Sequence, residues 1–173
     1  MNNKLIPFYR KLNSKQEGYT LLLDQQSEYV YKVEHKEVNP YKFWITWALI
    51  LSLLRSVKGM EMHMNNVKSV LIVFMAMILS GFIGVYKYKE MYKAYREVYF
   101  TKDMIDYYME KGRPLFKKEV ITTVVIFIIF IVLAVLFLIY HLVIWLLFAL
   151  LLFGLFTYCL CGIPLDRYKL YKR

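Results

Sequence analysis

The side chains best suited to hold something are Met60, Met62, His63 and Met64, with His141 on a second short polar break. Thioether and imidazole groups suit Cu(I), and methionines at alternate positions of an extended loop can converge on a soft metal. Arg55 and Lys58 lie beside them and repel a cation, and methionine closing an apolar run is common filler, so no metal and no cofactor is expected. Arg55 stands deep in an apolar segment. There it either attracts an anionic ligand or a partner's carboxylate, or runs its stem through hydrocarbon to the interface, which is the preferred reading. No Gly-rich phosphate loop, HExxH, paired CxxC or Gly-x-Ser-x-Gly is found. Cys159 and Cys161, one residue apart, make no disulfide framework and read as small buried residues. The long apolar runs hold no acid, base or nucleophile of the kind that marks a membrane enzyme, so catalysis is not expected.

Two further patterns suit contact rather than chemistry. Ala76, Ser80 and Gly84, with Gly81 beside them, form a small-xxx-small ladder that lets helix backbones approach. Its partner is either a helix of the same chain, the preferred reading, or another protein. Tyr88, Tyr92, Tyr95 and Tyr99 follow i, i+4, i+7, i+11 spacing, which on a helix prints one aromatic stripe. With Lys89, Lys93 and Arg96 nearby, that stripe suits the headgroups of anionic lipids, or a cytoplasmic protein partner.

The elements that must position these residues are apolar blocks. Of 173 residues 59% are apolar, gathered in long runs instead of spread periodically, which predicts an all-α membrane protein. Val120 to Tyr140 and Leu142 to Ile163 each match the ~30 Å of hydrocarbon at 1.5 Å per residue. Val67 to Tyr86 ends in a Lys87-Tyr88-Lys89 anchor. Phe43 to Leu54 yields only about 18 Å of clean apolar helix and crosses only if extended to Met64. A straight helix from Val120 to Ile163 would be about 66 Å long, so the chain must reverse near His141 despite having no Gly or Pro there.

Charge settles the count of crossings. With four spans, the N-terminal segment, the Lys87 to Lys118 loop and the C-terminal tail carry twenty of the 23 Lys and Arg residues on one side. Arg55, Lys58 and Lys68 remain on the other, which the positive-inside rule reads as both ends cytoplasmic. The net charge of +10 is therefore assigned to orientation in the cell membrane and not to nucleic acid.

The expected organisation is a cytoplasmic region over 1–40, two spans within 41–86, a cytoplasmic amphipathic loop over 87–118, two spans within 119–163 and a basic tail over 164–173. Phe8 to Leu12, Tyr19 to Leu23 and Tyr29 to Val33 predict a small β-hairpin of two or three strands. A helix from Thr101 to Lys111, stopped by Gly112 and Pro114, is expected in the loop.

Tyr9-Arg10, the run Gly18-Tyr19-Thr20-Leu21-Leu22-Leu23-Asp24, Phe43-Trp44, Leu53-Leu54-Arg55 and Val70-Leu71-Ile72 together resemble the tandem five-transmembrane family of low-GC Gram-positive bacteria. The resemblance implies a tyrosine-rich hairpin before apolar spans, and a role, held by some members, as an immunity protein against a depolarising toxin. The chain differs in having four spans and no apolar segment directly after the hairpin. Two functions follow as expectations: neutralisation of a membrane-active toxin by binding it, or a non-catalytic small subunit or adaptor of a larger membrane complex. In either, the partners are membrane lipids and a second protein.

Overall fold

The computed structural model describes residues 5–11, 18–24, 27, 29–35, 40–62, 65–92 and 95–172. They form β1 (Leu5–Lys11), β2 (Tyr19–Asp24), β3 (Val30–Glu34), α1 (Pro40–Ser56), α2 (Asn66–Met91), β4 (Arg96–Val98), α3 (Lys102–Tyr140), α4 (Val143–Cys161) and α5 (Leu165–Lys172). The fold is mostly helical with a small antiparallel sheet. Three helices, α2, α3 and α4, are long and apolar enough to cross a membrane.

The sheet has the order β1-β2-β3-β4. In β1, Pro7 pairs with Leu22 and Tyr9 with Leu21, so Phe8 is the extra residue of a bulge. Pro7 is tolerated because β1 is an edge strand, where a missing N–H leaves no ladder bond broken. Phe8, Leu21, Leu23 and Val30 form a buried cluster, against which Tyr9, Tyr19, Phe100, Ile105, Tyr108, Met109 and Leu170 pack. Ile6, Thr20, Leu22, Asp24 and Val33 are buried too, so both faces of the sheet are covered.

The expected hairpin of two or three strands is a sheet of four, and the tyrosine stripe is thereby corrected. The helix carrying Tyr88 ends at Met91, and Arg96–Val98 pairs instead with β3, Val30 facing Val98 and Lys32 facing Arg96. An unpaired β3 edge offers backbone donors and acceptors that a three-residue strand satisfies, and this outweighs the helical spacing of the tyrosines.

The stop at Gly112 and Pro114 is also corrected, since α3 runs through both without a break. Gly112 is buried, and a Cβ there would run into the Phe8 carbonyl oxygen and the Tyr171 hydroxyl. The glycine serves close approach to β1 and α5, not termination. Pro114 lies exposed and costs the helix one backbone bond, a loss the packing of the same turns offsets.

The first apolar segment forms α1 over 17 residues, about 25 Å, and the expected extension toward Met64 is not helical. Val57 to Gly59 turn, with Gly59 at φ 82°, a conformation costly for a residue with a Cβ. Glu61 then makes a bridge with Leu142. This explains the reversal that lacked Gly or Pro. His141 takes φ 52°, its carbonyl accepts the Met62 N–H at 2.9 Å, and the Val143 N–H donates to the Met60 carbonyl at 3.1 Å. A distant segment thus satisfies the backbone groups the turn exposes.

Two compact units are present. One comprises Met1–Glu37, Tyr86–Thr123 and Cys159–Arg173, and the other Val38–Val85 and Val124–Tyr158. In the first, the sheet, the amino-terminal turns of α3 and α5 share a core. In the second, Phe127 stacks on Phe156 at 4.8 Å and Phe130 on Phe153 at 5.0 Å, with Phe137 fully buried.

Candidate functional site

The small-residue ladder packs on α4. Ser80 is 8% exposed and its hydroxyl donates to the Leu150 carbonyl at 2.6 Å. A Cβ on Gly84 would collide with Thr157 Oγ1 and come within 2.6 Å of the Gly154 carbonyl oxygen. A Cβ on Gly154 would meet Ser80 Oγ at 2.8 Å. Thr157 is held by its own bond to the Gly154 carbonyl at 2.9 Å. Ala76 is only partly buried on the same face. The answering residues Gly154 and Thr157 were missed in the sequence, although their i, i+3 spacing of small residues was a readable signal.

The four tyrosines do not share a face. Tyr88 and Tyr92 stack at 4.7 Å at the end of α2, Tyr95 meets the edge of Tyr31 at 5.4 Å, and Tyr99 is 90% exposed. Arg55 is exposed in the last turn of α1, followed by the exposed Lys58.

Of the soft-ligand set, His63 and Met64 lie outside the described residues. Met60 is exposed and Met62 partly buried. His141 Nδ1 is 3.2 Å from the hydroxyl of the fully buried Ser69, an interaction that secures the turn. Among the described residues no three His, Cys, Asp or Glu side chains gather as a metal set. Cys159 and Cys161 are free and partly buried.

Sequence reasoning also missed a buried cation. Arg167, 3% exposed, donates from Nη1 to Glu119 Oε2 at 2.6 Å and to the Gly162 carbonyl at 2.8 Å, with its guanidinium 4.9 Å from the centre of the Phe116 ring. Its Nε finds no acceptor among the described residues. Read linearly, Arg167 was one more positive charge of the tail; nothing local marks it as buried. Tyr171 packs on Phe116 at 5.2 Å and donates to the Phe8 carbonyl, while Arg113 donates to the Tyr171 carbonyl. Burial, above all, raises the Tyr171 phenol's pKa.

A second polar cluster lies on the sheet. His35 Nε2 is 2.8 Å from Thr20 Oγ1, and burial first, then the Arg10 charge, lowers the imidazole's pKa. Tyr19 is pushed up to about 12 by burial first and by Tyr108 and Tyr9 after it. Lys11 and Lys32 approach its ring at 5.8 and 5.0 Å. His35 and Thr20 thus engage each other, and Tyr19 separately engages Tyr108, Lys11 and Lys32. The Ser69 hydroxyl also reaches the Asn65 carbonyl at 3.5 Å, and Ser69 is sealed from solvent.

No protein-family model, no curated protein and no solved structure matches the chain.

Proposed function

We propose that this chain is a multi-pass protein of the cell membrane with four crossings and both ends cytoplasmic, and that it acts by binding. In this reading it is an immunity protein that neutralises a membrane-active, depolarising toxin by packing against the toxin's helices. The observation that carries it is α1, a helix with no buried residue that exposes Phe43, Trp44, Ile45, Trp47, Leu49, Leu51 and Leu53. An all-round apolar helix persists only in lipid or against another apolar helix.

Hydrogen-bond parity supports the fourth crossing. β3, before α1, pairs with β4, after α2, so these two segments share a side of the bilayer. If α2 crosses, the chain must cross once more between β3 and α2, and α1 is the segment available. Its shortfall against ~30 Å is met by local thinning and by Arg55 reaching the outer interface. The twenty-to-three division of Lys and Arg supports the cytoplasmic side for both ends. The toxin itself is inferred from the resemblance of the hairpin and span motifs to the tandem five-transmembrane family.

The test is expression in a toxin-sensitive strain, with membrane potential followed by a voltage-sensitive dye. Protection is expected, and Leu49→Ala with Leu53→Ala should weaken it at unchanged protein level. A second reading, a non-catalytic subunit of a larger membrane complex, is favoured by the outer edge of β4, where Arg96, Glu97 and Tyr99 stand exposed. It wins if a permease or ATPase encoded next to this gene co-purifies in fixed stoichiometry and no neighbouring product is toxic.

A further inference from the structure

We propose that a cavity built by β2, α3 and α5 binds a zwitterionic amphiphile, with phosphate and ammonium groups on one apolar body. The cavity measures 670 Å³, within the range of small-ligand sites. Leu23, Ile105, Met109 and Leu170 make it apolar. One face of α3 supplies its charges: Lys102, Asp106, Glu110 and Arg113, at i, i+4, i+8 and i+11.

Two positive and two negative groups cancel. Lys102, Asp106 and Glu110 are exposed and enter no ion pair among the described residues, although Lys102 and Asp106 stand one helical turn apart. Arg113 is anchored by its bond to the Tyr171 carbonyl, which holds that wall in place. A simple anion would meet Lys102 and Arg113 but face two unneutralised carboxylates. A simple cation would meet the reverse. A ligand carrying both charges can meet a cation and a carboxylate on neighbouring turns of this face at once, while its apolar body covers the hydrocarbon walls.

The nearest source is a lipid, a choice that rests on the membrane reading above. α3 carries this wall and then the apolar run from Val120, and Arg113 lies about 10 Å along the helix from that residue, near headgroup depth. A water-soluble phosphoamine shares the head chemistry.

The experiment uses the full chain in dodecyl maltoside with ¹³C-methyl methionine, the Met109 resonance being assigned through Met109→Leu. Lysophosphatidylethanolamine should shift Met109 saturably. Dodecyl phosphate and dodecyltrimethylammonium, each carrying one sign of charge, should bind about tenfold more weakly or worse. Lys102→Gln and Glu110→Gln should each raise the midpoint about tenfold and leave the remaining methionine signals in place. Phosphoethanolamine alone separates the sources: a saturable shift indicates a soluble ligand, and no shift beside a lysolipid response indicates a lipid. The proposal is overturned if the lysolipid gives no saturable shift, or if all three amphiphiles act equally. The titration needs no bilayer, so failure of the four-span topology leaves its outcome distinct.

Discussion

The Arg167–Glu119 pair allows a prediction with an unusual order of severity. Arg167 is almost wholly buried, whereas the Glu119 side chain keeps 30% of its exposure. In Arg167→Met, Glu119 is left partly hydrated, and the losses are the bond to the Gly162 carbonyl and the contact with Phe116. Breaking a buried pair costs about 3–5 kcal/mol, and this variant belongs at or below the lower end. In Glu119→Met, the guanidinium stays buried with only the Gly162 carbonyl and the Phe116 ring left to face, and no carboxylate. That cost belongs near the top of the range, about 4–5 kcal/mol.

The double variant Arg167→Met/Glu119→Met removes both charges together with the already unpartnered Nε, so it should be more stable than Glu119→Met alone and close to the parent. At roughly 2–4 °C per kcal/mol for a chain of this size, Glu119→Met should unfold about 8–20 °C lower in detergent. Thermal unfolding of all four forms in one detergent measures the order. The reasoning is refuted if Glu119→Met is milder than Arg167→Met, or if the double variant is worse than both.

At the helix contact, Gly84→Ala and Ser80→Leu should each destabilise by about 1–3 kcal/mol through overpacking against Thr157 and Leu150, while Ile78→Leu, on an exposed position, should be silent; equal tolerance of all three in thermal unfolding would refute the contact. For topology, with Cys159 and Cys161 replaced, Asn65→Cys should react with an impermeant thiol reagent in intact cells and Thr101→Cys should not. Labelling at Thr101 alone would invert the assignment. The lowered His35 pKa means the folded state disfavours the imidazolium. Its contribution to stability is therefore full above the ordinary value of about 6.5 and lost as pH falls through the lower folded value. Unfolding temperatures across that window should decline on acidification, and His35→Gln should flatten the decline.

Much of the architecture was legible because it depends on properties summed over a segment. A run such as Val143–Cys161 is apolar whatever surrounds it, so its length and hydropathy predict a membrane-length helix without knowledge of neighbours. The strands β1 to β3 were readable from short Tyr, Leu and Val runs between polar breaks, since that pattern is local as well. The ladder of Ser80 and Gly84 was visible as small residues at helical spacing, but the helix that answers it was not.

What the sequence by itself determined, then, is where the chain is apolar, where it is charged, and which short runs favour strands. The tertiary structure alone decided features whose cause lies far along the chain. Arg96–Val98 is a strand because β3 leaves an edge to fill. α3 passes Gly112 because Phe8 and Tyr171 need room there. The chain reverses at His141 because Met60 and Met62 supply the missing hydrogen bonds. Arg167 is buried because Glu119, 48 positions away, meets it. In each case the local preference is weak, about a kcal/mol or a few, and a single tertiary hydrogen bond or close contact is large enough to override it.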